Sequence, residues 1–293
     1  MRILTILARF GTERYPTAEP DIDEIFRRQM SSVERTVLVV DNALPAWSIE
    51  ERGPRVLIGG DNDAGEFSAF DRAVQFIGSD IWRYDFVHFA TSAFNMLYVG
   101  YLGRFDAALL DAVAGRPVCL GHIDCYNDAV EILGVRTQHW IRSCFFLLPP
   151  ADVRTLGSFV TIRSGDGVFS GRAGTPFRPD APLSQRYQDY IIGWLRGGDI
   201  GQGVKWHSSL APAAETLQAF EHKALAIMNE QLLGVRLRAM GCRLIDVTWL
   251  ATELARGGGA RVRWDANWRE QLAGRDRDAV ILSTNGTDCG PFD

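Results

Sequence analysis

The chain has 293 residues, 46% of them hydrophobic and 23% charged, with a formal net charge of −5. That length can bury the core of one large domain or two small ones, and the balance excludes a wholly disordered chain. The mild acidity and the lack of any long Lys/Arg run argue against nucleic acid as a partner, because phosphate neutralisation supplies most of that affinity.

Cysteines Cys119, Cys125, Cys144, Cys242 and Cys289 form an odd set with no CxxC pair. Those in apolar runs read as buried reduced thiols, and the spacing does not suit zinc. The opening MRILTILARFG is too short for a secretory signal. No stretch reaches the ~18 apolar residues of a membrane span. A cytoplasmic protein is expected, with room for peripheral contact at the inner face of the membrane.

In chain order, Ile3 to Ala8 reads as a buried strand, and Asp21 to Ser31 as a helix with Ile22, Ile25, Phe26 and Met30 on one face. Thr36 to Val40 and Arg55 to Ile58 are further buried strands, ending in Asp41-Asn42 and Gly59-Gly60-Asp61-Asn62. Asp63 and Glu66 have capping-box spacing, so a helix is expected to start there, with Phe67, Phe70, Val74 and Ile77 as its core face. Tyr84 to Phe89 is a fourth strand, closed by Ala90-Thr91-Ser92.

The spacing then predicts a helix over 105–114, strands over 117–120 and 143–148, and a helix over 183–195. A long helical stretch follows over 216–240, broken once, and then a late strand over 244–249. Gly257-Gly258-Gly259 marks a break, and Val280-Ile281-Leu282 lies in a polar tail. Strands alternating with helices indicate an α/β fold with a mostly parallel sheet covered on both faces. Ligands of such sheets bind beyond the carboxyl ends of the strands. Arg9-Phe10-Gly11, Asp41-Asn42, Asp61-Asn62 and Thr91-Ser92 would then share one rim.

Several groups on that rim could carry chemistry. Asp41 can accept from a ribose hydroxyl or a base N–H, or simply organise a turn. The Gly59 to Glu66 segment opens a helix whose amides could attract an anion, but it is neither a P-loop nor GxGxxG. Its acids favour ribose or sugar over bare phosphate. Arg142 stands in an apolar stretch and needs a partner, either a diphosphate or a core carboxylate such as Asp85. Glu230, with Asn229 and Lys223, lies on the long helix, on a solvated face or turned towards the rim. Lys205, Trp206 and His207 could line an acceptor groove.

The run from Asp41-Asn42 to Asp61-Asn62-Asp63-Ala64-Gly65, opening a helix through Phe67 and Asp71, resembles GT-A-type glycosyltransferases of the inverting, bacterial polysaccharide kind. Tyr84-Asp85 before Ala90-Thr91-Ser92-Ala93-Phe94 looks like the next element of that family. The stretch His139 to Phe146 is similar to rhamnan synthesis protein F-like transferases. The resemblance implies a GT-A-like Rossmann-type sheet. Residues 1–150 would form the nucleotide-sugar half, and 151–293 a largely helical acceptor side of the same domain.

It also implies sugar transfer from a nucleoside-diphosphate donor to a hydroxyl of a polysaccharide or lipid-linked glycan. Arg9, Phe10, Asp41, Asn42, Asp61, Asp63, Thr91, Ser92 and Arg142 would hold the donor. His122-Ile123-Asp124 would sit in an acceptor-facing loop, with Asp124 as general base, His122 orienting or replacing it, and Glu230 near by. The family's Asp-x-Asp is replaced by Thr91-Ser92-Ala93, which puts a divalent cation in doubt. Two alternatives stand beside this expectation: a catalytically silent, transferase-like binding or scaffold subunit, and a Rossmann-type nucleotide or S-adenosylmethionine enzyme. The poverty of glycine in Arg9-Phe10-Gly11-Thr12 counts against the last.

Overall fold

A computed structural model describes residues 1–96, 99–198, 209–257 and 262–275. The expected groove residues Lys205, Trp206 and His207, the glycines Gly258 and Gly259, and the Val280 to Leu282 run lie outside the described residues. Strand β1 (Arg2–Arg9) is buried along nearly all its length. Its side chains serve two cores alternately: Ile3 and Leu7 on one face, Leu4, Ile6 and Ala8 on the other.

Helix α1 (Ala18–Gln29) packs Ile22 and Phe26 on the first face. Burying those two side chains stabilises the contact by about 1.5–3 kcal/mol each. The helix begins earlier than Asp21 because Pro20 falls in its first turn, where no N–H is needed. Strand β2 (Glu34–Asp41) follows, then β3 (Ile49–Arg52) and β4 (Arg55–Gly59) as an unexpected edge hairpin.

Helix α2 (Glu66–Ile77) covers the second face with Phe67, Phe70 and Val74. It starts at Glu66 with Gly65 as its cap, at φ 60°, and no side chain caps it. Asp63 therefore does not form the expected capping box: its amide instead donates to Asp61 Oδ1 at 3.0 Å. After β5 (Phe86–Thr91) comes α3 (Ala107–Val113), capped by Asp106, which accepts from the Leu109 amide at 2.7 Å.

Two long strands, β6 (Val118–Ile132) and β7 (Val135–Leu148), form a hairpin. Its turn is Leu133-Gly134, both at positive φ (51° and 74°). Two residues at positive φ make the turn type that matches strand twist. The expected loop at 122–128 is therefore strand, with register irregularities flanking Ile123 and Cys125. Helices α4 (Pro150–Leu156) and α5 (Gln185–Leu195) lead to α6 (Leu217–Ala239), which is continuous rather than broken. Strand β8 (Arg243–Asp246) hands over at once to α7 (Val247–Gly257), and α8 (Trp268–Gly274) ends the described chain.

The fold is α/β, with one eight-stranded sheet in the order β3-β4-β2-β1-β5-β7-β6-β8. Parallel pairs are β1–β2, β1–β5, β2–β4 and β6–β8; the other three are antiparallel. The sheet is mixed rather than mostly parallel, because hairpin strands joined by a two-residue turn must run antiparallel. Strand β8 carries the second half of the chain back into it. A third core gathers Tyr126, Ile132 and Trp140 of the hairpin against Tyr187, Phe220 and Met228. Among the described residues no helix is long and apolar enough to cross a membrane.

Candidate functional site

Register aligns the parallel strand ends in one row. Arg9 faces Asp41, Asp41 faces Gly59, and Ala8 faces Thr91. The backbone continues the alignment: the Asn42 amide donates to Arg9 O at 2.8 Å, Gly60 to Asp41 O at 3.1 Å, and Ser92 to Ala8 O at 2.9 Å. The four segments thus converge, as a sheet of this kind requires at its ligand-binding edge.

Asp41 is buried and saturated. One oxygen accepts from Arg9 Nε at 2.7 Å, the other from the amides of Gly11 at 2.8 Å and Ala43 at 3.0 Å. Arg9 also pairs with Glu19. Asn42 Nδ2 donates to Asn62 Oδ1 at 3.1 Å and to Gly65 O at 2.9 Å. Asp61 and Asp63 are exposed, and Phe10 is 64% exposed beside the rim. A cavity of about 350 Å³ opens next to Arg9, lined also by Thr12, Tyr15, Glu19, Asp23 and Arg55. Arg55 bonds Glu19 at 2.8 Å and pairs with Asp23, as does Arg35, so the cavity wall is largely neutralised internally.

A second cluster lies further along the same rim. Strand β7 runs antiparallel to β5 with Phe145 opposite Ala90, so Ser143 and Arg142 project past the end of β5. Arg142 grips Asp124 in a fork, Nε to Oδ2 at 2.6 Å and Nη2 to Oδ1 at 3.3 Å. Its partner is therefore Asp124 and not Asp85, which instead accepts from the Arg2 amide at 2.6 Å. His122 Nε2 lies 3.4 Å from Asp124 Oδ1, and its ring stacks on Tyr101 at 4.8 Å.

Burial alone would raise the Asp124 pKa. The Arg142 charge and the His122 contact reverse this and hold the carboxyl well below its usual range. Burial, then Arg142, lowers the His122 pKa, with Asp124 opposing. Burial pushes the Cys144 thiol up to about 11, which keeps it from acting as a nucleophile.

Glu230 is brought to this cluster by packing. Gly234, one turn further along α6, packs closely on β7 and β8: a Cβ there would lie 3.4 Å from Trp140 Cα and 3.3 Å from Leu244 Cδ1. Residues four apart share a helix face, and Glu230 is thereby turned to Ser143 rather than to solvent. Glu230 Oε1 accepts from the Ser143 amide at 2.7 Å and contacts its hydroxyl at 3.0 Å. Burial, aided by the negative charges of Glu66 and Asp124, raises its pKa to about 7 against the Ser143 bonds.

Three participants were not legible as site residues in the sequence. Glu66 read as a cap, yet its Oε1 lies 3.0 Å from Ser143 Oγ. Ser143 read as a strand start. Asp246 read as mid-strand, but it caps α7 by accepting from the Trp249 amide at 3.0 Å, and it accepts from the Ile123 amide at 2.9 Å. Only Asp246, an acid just before a helical run, carries a local signal. Through Gly65 and Glu66 the two clusters become one network from Asp41 to Glu230.

Among the described residues no group of three or more His, Cys, Asp or Glu side chains is placed to hold a metal ion. Thr91, Ser92 and Ala93 supply no carboxylate at the end of β5. No protein-family model, no curated protein and no solved structure matches this chain.

Proposed function

We propose that the protein is a glycosyltransferase that moves a sugar from a nucleoside-diphosphate donor to a hydroxyl of a glycan acceptor. One observation carries the reading. The rim formed by four parallel strand ends also holds a partly buried carboxyl, Glu230, whose pKa of about 7 suits a general base at neutral pH. The base role falls to Glu230 rather than Asp124, because a carboxylate forked by Arg142 has little affinity for a proton. Asp124 instead fixes the Arg142 guanidinium beside the reacting groups, where it can steady developing negative charge. The donor lies across the ends of β1 and β5, with the exposed acids Asp61 and Asp63 facing sugar hydroxyls. A GT-A-like arrangement of the sheet and a location at the inner face of a membrane belong to the same proposal.

Incubation with a panel of nucleotide sugars and glycan acceptors, followed by mass spectrometry, tests it. Transfer by the wild type, lowered about a hundredfold or more in Glu230→Gln, is the expected result. No transfer from any donor would remove the proposal. One observation favours a second reading, a transferase-like subunit that binds without turnover: Arg9 and Asp41 already satisfy each other. Calorimetric binding of a nucleoside diphosphate, with and without Mn²⁺ and without transfer, would select it.

A further inference from the structure

Ser143 Oγ lies 3.0 Å from Glu66 Oε1 and 3.0 Å from Glu230 Oε1. A serine hydroxyl has one proton and donates one hydrogen bond. With both carboxyls ionised, one of these contacts would press oxygen lone pairs together in a partly buried place. The Ser143 amide gives no relief, since it already donates to Glu230 Oε1. Both contacts become hydrogen bonds only when one carboxyl keeps a proton and donates it to Oγ.

We propose that Glu66 and Glu230 share a single proton across Ser143 and act as one acid–base unit. Glu66 is the first residue of α2, where unsatisfied amides favour negative charge, so the proton rests on Glu230. Its transfer is balanced. Glu230 gives its proton to Ser143 Oγ while Ser143 gives its own to Glu66. One O–H bond is broken and one formed at each step, and the net charge does not change. Glu230 is left ionised and able to take the proton of a hydroxyl. Glu66 is thus a positioning residue for that proton.

The other groups felt by Glu230 are Asp124 on β6 and Cys144 on β7, with Tyr126 and Tyr187 across the third core. Arg142, next to Ser143, is held by Asp124, and His222 of α6 lies near Gly65. None of them contacts Ser143 Oγ in place of either glutamate. Burial is the first cause of the raised Glu230 titration, and the Glu66 charge adds to it. The shared proton itself needs no substrate; only its use as a relay rests on the proposed function.

Carbon-13 NMR of the whole chain, labelled at the glutamate carboxyls and titrated without substrate, tests the inference. The wild type should show one carboxyl with a midpoint near neutrality. In Glu66→Gln that midpoint should fall by about one pH unit or more, because the like charge is gone. In Glu230→Gln no glutamate should titrate near neutrality through this pair. An unchanged Glu230 midpoint in Glu66→Gln, or two ordinary independent titrations in the wild type, would overturn it. Transfer activity with ordinary titrations would defeat only this inference. A shared proton without transfer would defeat only the proposed function.

Discussion

Glu230 works against the fold that holds it. Its pKa in the folded chain is about 7, above the ordinary 4.5, so the fold prefers its neutral form. The associated stability is complete below 4.5 and is lost as pH rises through 7. Glu230→Gln keeps the shape and removes the charge, so the variant should gain on the wild type in stability as pH rises. Urea denaturation of both proteins at pH 6 and pH 8.5 checks this: the gap in midpoint should widen at the higher pH. A gap that stays constant would mean that Glu230 does not titrate in this range. Asp124 has the opposite sign, since its lowered pKa adds stability above about pH 4 that acid removes. Two carboxyls on one rim are thus driven apart by their neighbours, the condition under which one can be an acid or base while the other stays charged.

At the scale of elements, the rim depends on loops that touch. A Cβ on Gly59 would lie 1.8 Å from Pro45 O, and one on Gly60 would lie 1.9 Å from Asn42 Oδ1. The glycine pair read from the sequence as an anion-attracting loop is therefore needed for close approach of the β2–β3 connection. Gly59→Ala should cost about 3 kcal/mol, since backbone cannot retreat as a side chain can. Gly103→Ala, at a site with nothing within 4 Å, should change stability by less than about 0.5 kcal/mol. Thermal melts of the two variants distinguish them, and equal melting points would refute the packing argument.

The four parallel strands and helices α1 and α2 were readable because uninterrupted apolar runs and a 3.6-residue period are local signals. The 122–128 segment was not. Its polar run, His122 to Asp128, reads as loop, while in the molecule its strand is fixed by pairing with β7 and by a Leu-Gly turn that lacks the usual Asn or Asp. The Glu66–Ser143–Glu230 contact joins three distant segments, and nothing in the spacing of the chain reports it.

Across the whole molecule, one sheet threads both halves and carries three histidines at separated points, His88 and His122 buried and His139 half-buried. His88 on β5 bonds Thr5 at 3.2 Å and lies 4.1 Å from the Phe145 ring; burial, then Arg35, holds its pKa well below 6.5. His122 on β6 is lowered by burial and Arg142. His139 on β7 stacks on Trp268 at 4.9 Å and is lowered to about 3 by burial, Arg238 and Arg269. Each is shifted towards its neutral form in the fold and gains proton affinity on unfolding. Their contribution is therefore present above pH 6.5 and lost as pH falls from there. For His139 alone the loss by pH 5 is about 2 kcal/mol, 1.5 units at about 1.36 kcal/mol each. Glu230 opposes them, because it binds its proton in the fold first. Near pH 5.5 His139 takes up a proton on unfolding while Glu230 gives one up. The slope of unfolding free energy against pH should then be lower by about one proton in His139→Gln than in the wild type, and higher by about one in Glu230→Gln. Denaturation series between pH 5 and 6 measure all three slopes. A slope unchanged in His139→Gln would mean that His139 is already protonated in the folded chain, against the positive charges of Arg238 and Arg269.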